Sequence, residues 1–336
     1  MIFESPMRKF FAGFPFALIF AIFSLPAFAA DGPEERASVI IAISAAGEES
    51  YAEPFAKWAT RWQTAAATAQ ARTTTLQGDD KQSLVHLRQL LEAEPKDGAA
   101  ALWLVLLGHG SFDGRDGKFN LPGDDLAASE LAVLLKPFHR PVVVICSFSA
   151  SGAFLKPLSA QGRVIVTATK SGAENNFSRF GGYLSETIAD PSADIDKDGQ
   201  TSLLEAWLAA ARRVADFYKN EGRLATEHSL LDDNGDGLGA SPEWFQGVRV
   251  VKKARDNRTP DGIRAHQIHL VPSAAERALP PALRAERDST EQEIERLRQS
   301  KAGMPPDAYY GQLEVLLLRL ARLYHEGGNA AGKPPP

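Results

Sequence analysis

The chain has 336 residues, 44% of them hydrophobic, and 37 Lys and Arg against 42 Asp and Glu leave a formal net charge of −5. That length holds one large domain or two modest ones, and the hydrophobic share supplies a sizeable core. An acidic balance with no basic stretch excludes nucleic acid as a natural partner, and a single cysteine, Cys146, excludes an internal disulfide.

Met1–Ala30 reads as a secretory leader. Arg8 and Lys9 give the positive start, Phe10 to Phe23 the apolar stretch, and Ala27-Phe28-Ala29 the small-x-small cleavage pattern. The stretch is short for a span and ends in that cleavage site. The expectation is a periplasmic or secreted protein with no membrane span once the leader is removed.

Ser38–Ile43, β-branched and apolar, predicts a first buried strand. Tyr51–Gln70 predicts a helix with Phe55, Trp58, Ala59 and Trp62 on one face. Arg72–Leu76 is a weaker strand. Asp79 and Asp80 then cap a helix to Glu94, with Leu84, Leu87, Leu90 and Leu91 inward. Ala101–Leu107 is apolar without a break, as a strand buried on both faces reads. It stops at Gly108-His109-Gly110. Asp124 and Asp125 open a helix over Leu126–Leu135. Val142–Cys146 is a second buried strand, ending in the small-residue turn Ser147–Ser151. Gly152–Leu158 predicts a short helix and Arg163–Thr169 the next strand. Strands and helices alternate at βαβ lengths, so residues 31–190 are expected to form an α/β core, a mostly parallel sheet with helices on both faces.

Open α/β sheets keep their chemistry at the carboxyl ends of the strands. Two parallel neighbours about 4.8 Å apart would bring His109 beside the serine turn, a base next to a nucleophile. Gly110 leaves its N–H open to close approach by a substrate. Asp113 and Asp116 are the acids near enough in sequence to orient His109.

Residues 191–275 change character. Asp194, Asp196, Asp198, Gly199 and Glu205 stand at the ligand spacing of an EF-hand calcium loop. Asp232, Asn234, Asp236, Gly237 and Glu243 repeat that spacing, with Gly239 and Pro242 departing from it. Calcium is the expected cofactor. Between the loops, Ser202–Asn220 predicts a helix burying Leu204, Trp207, Leu208 and Ala211. Gly247–Lys252 and His266–Val271 predict two late strands completing the core. His266 and His269 then point to opposite faces and read as structural. Residues 276–326 form a helical hairpin, Leu283–Lys301 and Asp307–Tyr324, docked on the core or offered to a protein partner. Residues 327–336 are disordered in composition.

The segment His109-Gly110-Ser111, Pro122, Asp124-Asp125-Leu126 and Leu131 resembles the histidine segment of the legumain family of cysteine peptidases, within the caspase-like fold group. Val164–Gly172 resembles the strand beside the substrate pocket, and the similarity covers about Ser38 to Asp190. The resemblance implies a caspase-like fold and a peptide or protein substrate cleaved after Asn or Asp. It also implies His109 as base and Gly110 as an oxyanion donor. The family's cysteine stands three residues before a glycine; counting back from Gly152 gives Ser149. Cys146 lies three residues earlier, on the opposite face of a strand and about 10 Å away. Parity favours Ser149, and Cys146 requires a register shift. Two functions follow: an exported legumain-like endopeptidase, or an inactive pseudopeptidase acting as a calcium-stabilised interaction protein.

Overall fold

The structure is a computed structural model that describes residues 36–252 and 259–330. The leader expected over 1–30 lies outside the described residues.

Six strands form one sheet in the order β2-β1-β3-β7-β8-β9: β1 (Ser38–Ile43), β2 (Arg72–Leu76), β3 (Leu102–Gly108), β7 (Val142–Phe148), β8 (Arg163–Thr167) and β9 (Leu230–Asp232). The first five pair in parallel and β9 pairs antiparallel to β8. Helices connect the parallel strands: α1 (Glu49–Thr68), α2 (Ser83–Ala93), α3 (Ala128–Leu135) and α4 (Gly152–Leu158). After β8 come α5 (Phe180–Thr187) and α6 (Leu203–Asn220). The expected α/β fold, a mostly parallel sheet with helices on both faces, is what the chain adopts.

The sheet separates two apolar layers. Trp103, Val105 and Leu107 of β3 point into one, with Phe55 and Trp62 of α1, Leu184 of α5 and Trp207 of α6. Leu102, Leu104 and Leu106 point into the other, with Leu87 of α2, Leu131 of α3 and Phe154 of α4. Every residue of β3 and β7 is buried. At about 1.5–3 kcal/mol for each large apolar side chain removed from water, these strands pin the register of the whole sheet.

Several elements are absent from the sequence reading. A small antiparallel sheet, β4 (Gly110–Phe112), β5 (Gly117–Phe119) and β6 (Leu126–Ala127), grows from the end of β3. It takes Leu126 and Ala127 from the start of the expected helix, which begins at Ala128. α5 and β9 are likewise unanticipated.

The two late strands need correction. Only Arg249–Val250 (β11) is extended, in a short hairpin with Phe245–Gln246 (β10). His266 lies in a one-turn helix, α7 (Ile263–Gln267), and no strand covers 266–271. The Asp233 carboxylate accepts the N–H groups of Gly262 (3.0 Å) and Ala265 (2.8 Å) and so holds the chain entering that segment in a turn.

Then follow α8 (Ala274–Ala278), α9 (Pro281–Ser300) and α10 (Pro306–Ala330). α9 and α10 are the expected hairpin, and α9 docks it. Arg287 makes a two-pronged ion pair with Glu276 of α8 (2.5 and 2.9 Å), and Gln267 bonds the Asp288 carbonyl and Glu291. α10 runs on to Ala330, so the residues just after Gly327 are helical rather than part of a disordered tail. Among the described residues no helix is long and apolar enough to cross a membrane.

Candidate active site at the strand ends

β3 and β7 pair with Gly108 opposite Phe148. His109 and Ser149 each stand one residue beyond that position, at adjoining carboxyl ends. Side chains alternate along both strands. Leu107 faces the α1 layer, and Ser147 lies against Gly181 of α5 on that same side. Two residues on from Leu107, His109 returns to that side, and Ser149 stands at the same level just past the end of β7.

The His109 ring stands edge-on to Tyr51 (4.7 Å between centroids) and Phe55 (5.0 Å), with Phe177 at 6.2 Å. Its main-chain N–H donates to Ser44 Oγ at 2.8 Å. Burial among the aromatics pulls its pKa below the ordinary 6.5; the Ala46 carbonyl and the Glu48 charge oppose this and do not prevail. The ring is therefore neutral near pH 7, the form a general base needs.

Ser149 is 3% exposed, and among the described residues its hydroxyl has no hydrogen-bond partner. The next residue, Ala150, takes a left-handed backbone (φ 58°), a cost of about 1–2 kcal/mol for a residue with a Cβ. The turn is held from outside. Ala150 N–H donates to the Glu174 carbonyl at 2.7 Å, and Ser151 Oγ accepts the N–H groups of Ala168 and Thr169 at 3.0 and 3.1 Å. A Cβ at Gly152 would strike the main chain of Ser171, so only glycine lets the turn lie this close to the end of β8.

Gly110 opens β4. Asn120 N–H donates to the His109 carbonyl at 3.1 Å, which makes Gly110–Phe119 the next, non-hydrogen-bonded pair. The Gly110 N–H therefore points away from β5 and is open to a carbonyl. A Cβ there would run into Phe148 and lie 2.7 Å from the Ser149 carbonyl.

Cys146 is removed from the candidate set. It is fully buried in the opposite layer, level with Leu106 and Thr167, and desolvation pushes its thiol far above the ordinary range. Asp113 and Asp116 do not orient His109 either. Asp113 Oδ1 accepts the N–H groups of Arg115 and Asp116 at 2.9 Å, and Asp116 bonds the Ser129 hydroxyl.

Sequence reasoning missed three acids and bases beside the site. Glu227, 3% exposed, accepts Ser178 Oγ (2.6 Å) and the N–H groups of Arg179 and Phe180, capping α5. His228 pairs with Glu174 at 2.5 Å. Together they fix the loop that supplies Phe177 to the imidazole and the Glu174 carbonyl to Ala150. Nothing in local spacing marks them, because partners and loop are about fifty residues apart. Next to Trp58 lies a cleft of about 470 Å³. Arg179 lines it, its guanidinium 4.3 Å from the Phe217 ring and without a carboxylate partner among the described residues.

At the first acidic loop, carboxylate oxygens of Asp194, Asp196 and Asp198 lie within 4.8 Å of one another. Glu205 reaches back to the N–H groups of Ile195 (2.7 Å) and Asp196 (3.2 Å), and with Ser202 forms a reciprocal cap on α6. An all-oxygen acidic set suits a hard divalent cation. His266 bonds Asp196 at 2.9 Å, a contact its expected place in a strand did not foresee. At the second loop Asp232 accepts the N–H groups of Gly235 and Gly237, and Asn234 that of Asp236. Glu243 instead bonds Ser241 at 2.7 Å in a one-turn 3-10 helix. No second three-acid group forms among the described residues.

No family model matches the sequence, and no curated protein matches it. Among solved structures the chain is similar to a caspase-1 from Spodoptera frugiperda, at 12% identity and a TM-score of 0.40, covering 59% of this chain and 86% of that one. It is also similar to the Drosophila initiator caspase Dronc, at 12% identity and a TM-score of 0.43, covering 62% and 84%.

Proposed function

We propose that this chain is an exported peptide-binding protein of the caspase-like group, a pseudopeptidase that keeps the base at the strand ends and lacks the thiol. One observation carries the reading: the chain's only cysteine lies sealed under the opposite face of the sheet, while the turn beside His109 presents Ser149. A hydroxyl is far harder to ionise than a thiol and needs an aligned base. Ser149 makes no hydrogen bond to the imidazole. The legumain-type likeness of the His109 segment supports a ligand carrying an Asn or Asp side chain. The leader supports export to the periplasm or beyond, and the first acidic loop supports bound calcium.

The test is a Ser149→Cys variant assayed on Asn- and Asp-containing peptides. Thiol-dependent cleavage by the variant, with none by wild type, is the expected result. Cleavage by wild type that survives in both His109→Ala and Ser149→Ala would remove the site from any role.

A second reading, slow serine-type hydrolysis, is favoured by the neutral imidazole and the open Gly110 N–H. It requires wild-type cleavage that both of those variants abolish.

A further inference from the structure

α10 packs along α9 with Tyr309 and Leu323 buried, yet its outer side is also apolar. Tyr310, Val315, Leu317 and Leu318 are 56, 65, 47 and 53% exposed. A surface helix of a lone protein carries charge there. A shallow groove of about 450 Å³ runs along Tyr310, Leu313, Leu317 and Leu318, and another of about 530 Å³ lies between α9 and α10 beside Val315.

The charges on this face select the occupant. Glu314 and Arg322 are both exposed and without a partner among the described residues. Each lies four residues from Leu318, one before it and one after, so each sits about 6 Å along the axis and about 40° around it. Two such helices laid antiparallel, with a two-fold axis at Leu318, bring Leu318 against its own copy. The same operation sets Glu314 level with Arg322 of the partner, twice. Small residues flank that centre, Gly311 on one side and Ala321 on the other, which allows close approach. A patch that is apolar at its middle and opposite in charge at its two ends is self-complementary, the requirement of an isologous contact.

We propose that α10 is the contact helix of a two-fold dimer of this chain, the two α9–α10 hairpins forming a four-helix bundle around Leu318.

The purified chain is examined by sedimentation velocity from about 1 to 100 μM. The expected species has twice the chain mass at the upper end. Leu318→Asp raises the dissociation constant at least about thirtyfold, the scale of a central contact. Glu314→Arg and Arg322→Glu each weaken the dimer, and the double exchange restores it, since swapping both charges regenerates the pair. Unchanged circular dichroism confirms that each variant folds. A wild-type chain monomeric throughout the range overturns the proposal, as does a dimer indifferent to Leu318→Asp. So does a monomer that co-sediments with phosphatidylethanolamine–phosphatidylglycerol vesicles through this face.

Discussion

At the scale of single residues, His109 is set by burial. Its folded pKa lies below the unfolded value near 6.5, so the unfolded chain binds more protons just below that pH. Stability should therefore fall as pH drops below 6.5, and His109→Gln should flatten that part of the curve; urea unfolding at pH 5.5 and 7.5 measures it. Cys146 sits among apolar neighbours, and Cys146→Ser should cost about 1–3 kcal/mol by burying a hydroxyl. A chemical denaturation midpoint unmoved by that change would contradict its placement. How much of this was legible varies by residue. The parity of β7 separated Ser149 from Cys146 in the sequence, because side-chain alternation is a local rule. The loop that brings Phe177 to the His109 ring was invisible to it, because its anchors Glu227 and His228 lie about fifty residues further along the chain.

At the scale of elements, α6 starts with a reciprocal cap between Ser202 and Glu205. Ser202→Ala should cost about 1 kcal/mol. The same glutamate faces the first acidic loop, so loop and helix are one unit. With calcium as the proposed occupant, an excess a hundredfold over its dissociation constant should add about 2.7 kcal/mol by linkage. Asp194→Asn and Asp198→Asn should erase that gain in a melting experiment. An identical melting curve in calcium and in chelator would remove the metal. Long periodic helices and fully apolar strands were readable, since burial writes a pattern into them. α5 was not, because Gly181 and Gly182 lower its propensity and fit against Trp58. The segment 266–271 misled, because a carboxylate more than thirty residues away holds the chain entering it in a turn.

At the scale of the whole molecule, the sheet order follows from the alternation of strands and helices, and only the antiparallel β9 at its edge escaped it. The hairpin depends on one buried link. Arg287 chelates Glu276, both less than a tenth exposed, and Arg287→Met leaves that carboxylate with Arg284 alone. A loss of about 1.5–3 kcal/mol is expected, with α9 and α10 gaining amide hydrogen exchange before the sheet does. The sealed thiol in the middle strand has a practical outcome. Being the sole sulfhydryl of the chain and lying where every layer must part before solvent arrives, it turns the protein into its own clock for global opening. The rate at which a small thiol reagent modifies the native chain should report that opening alone, with no engineered probe.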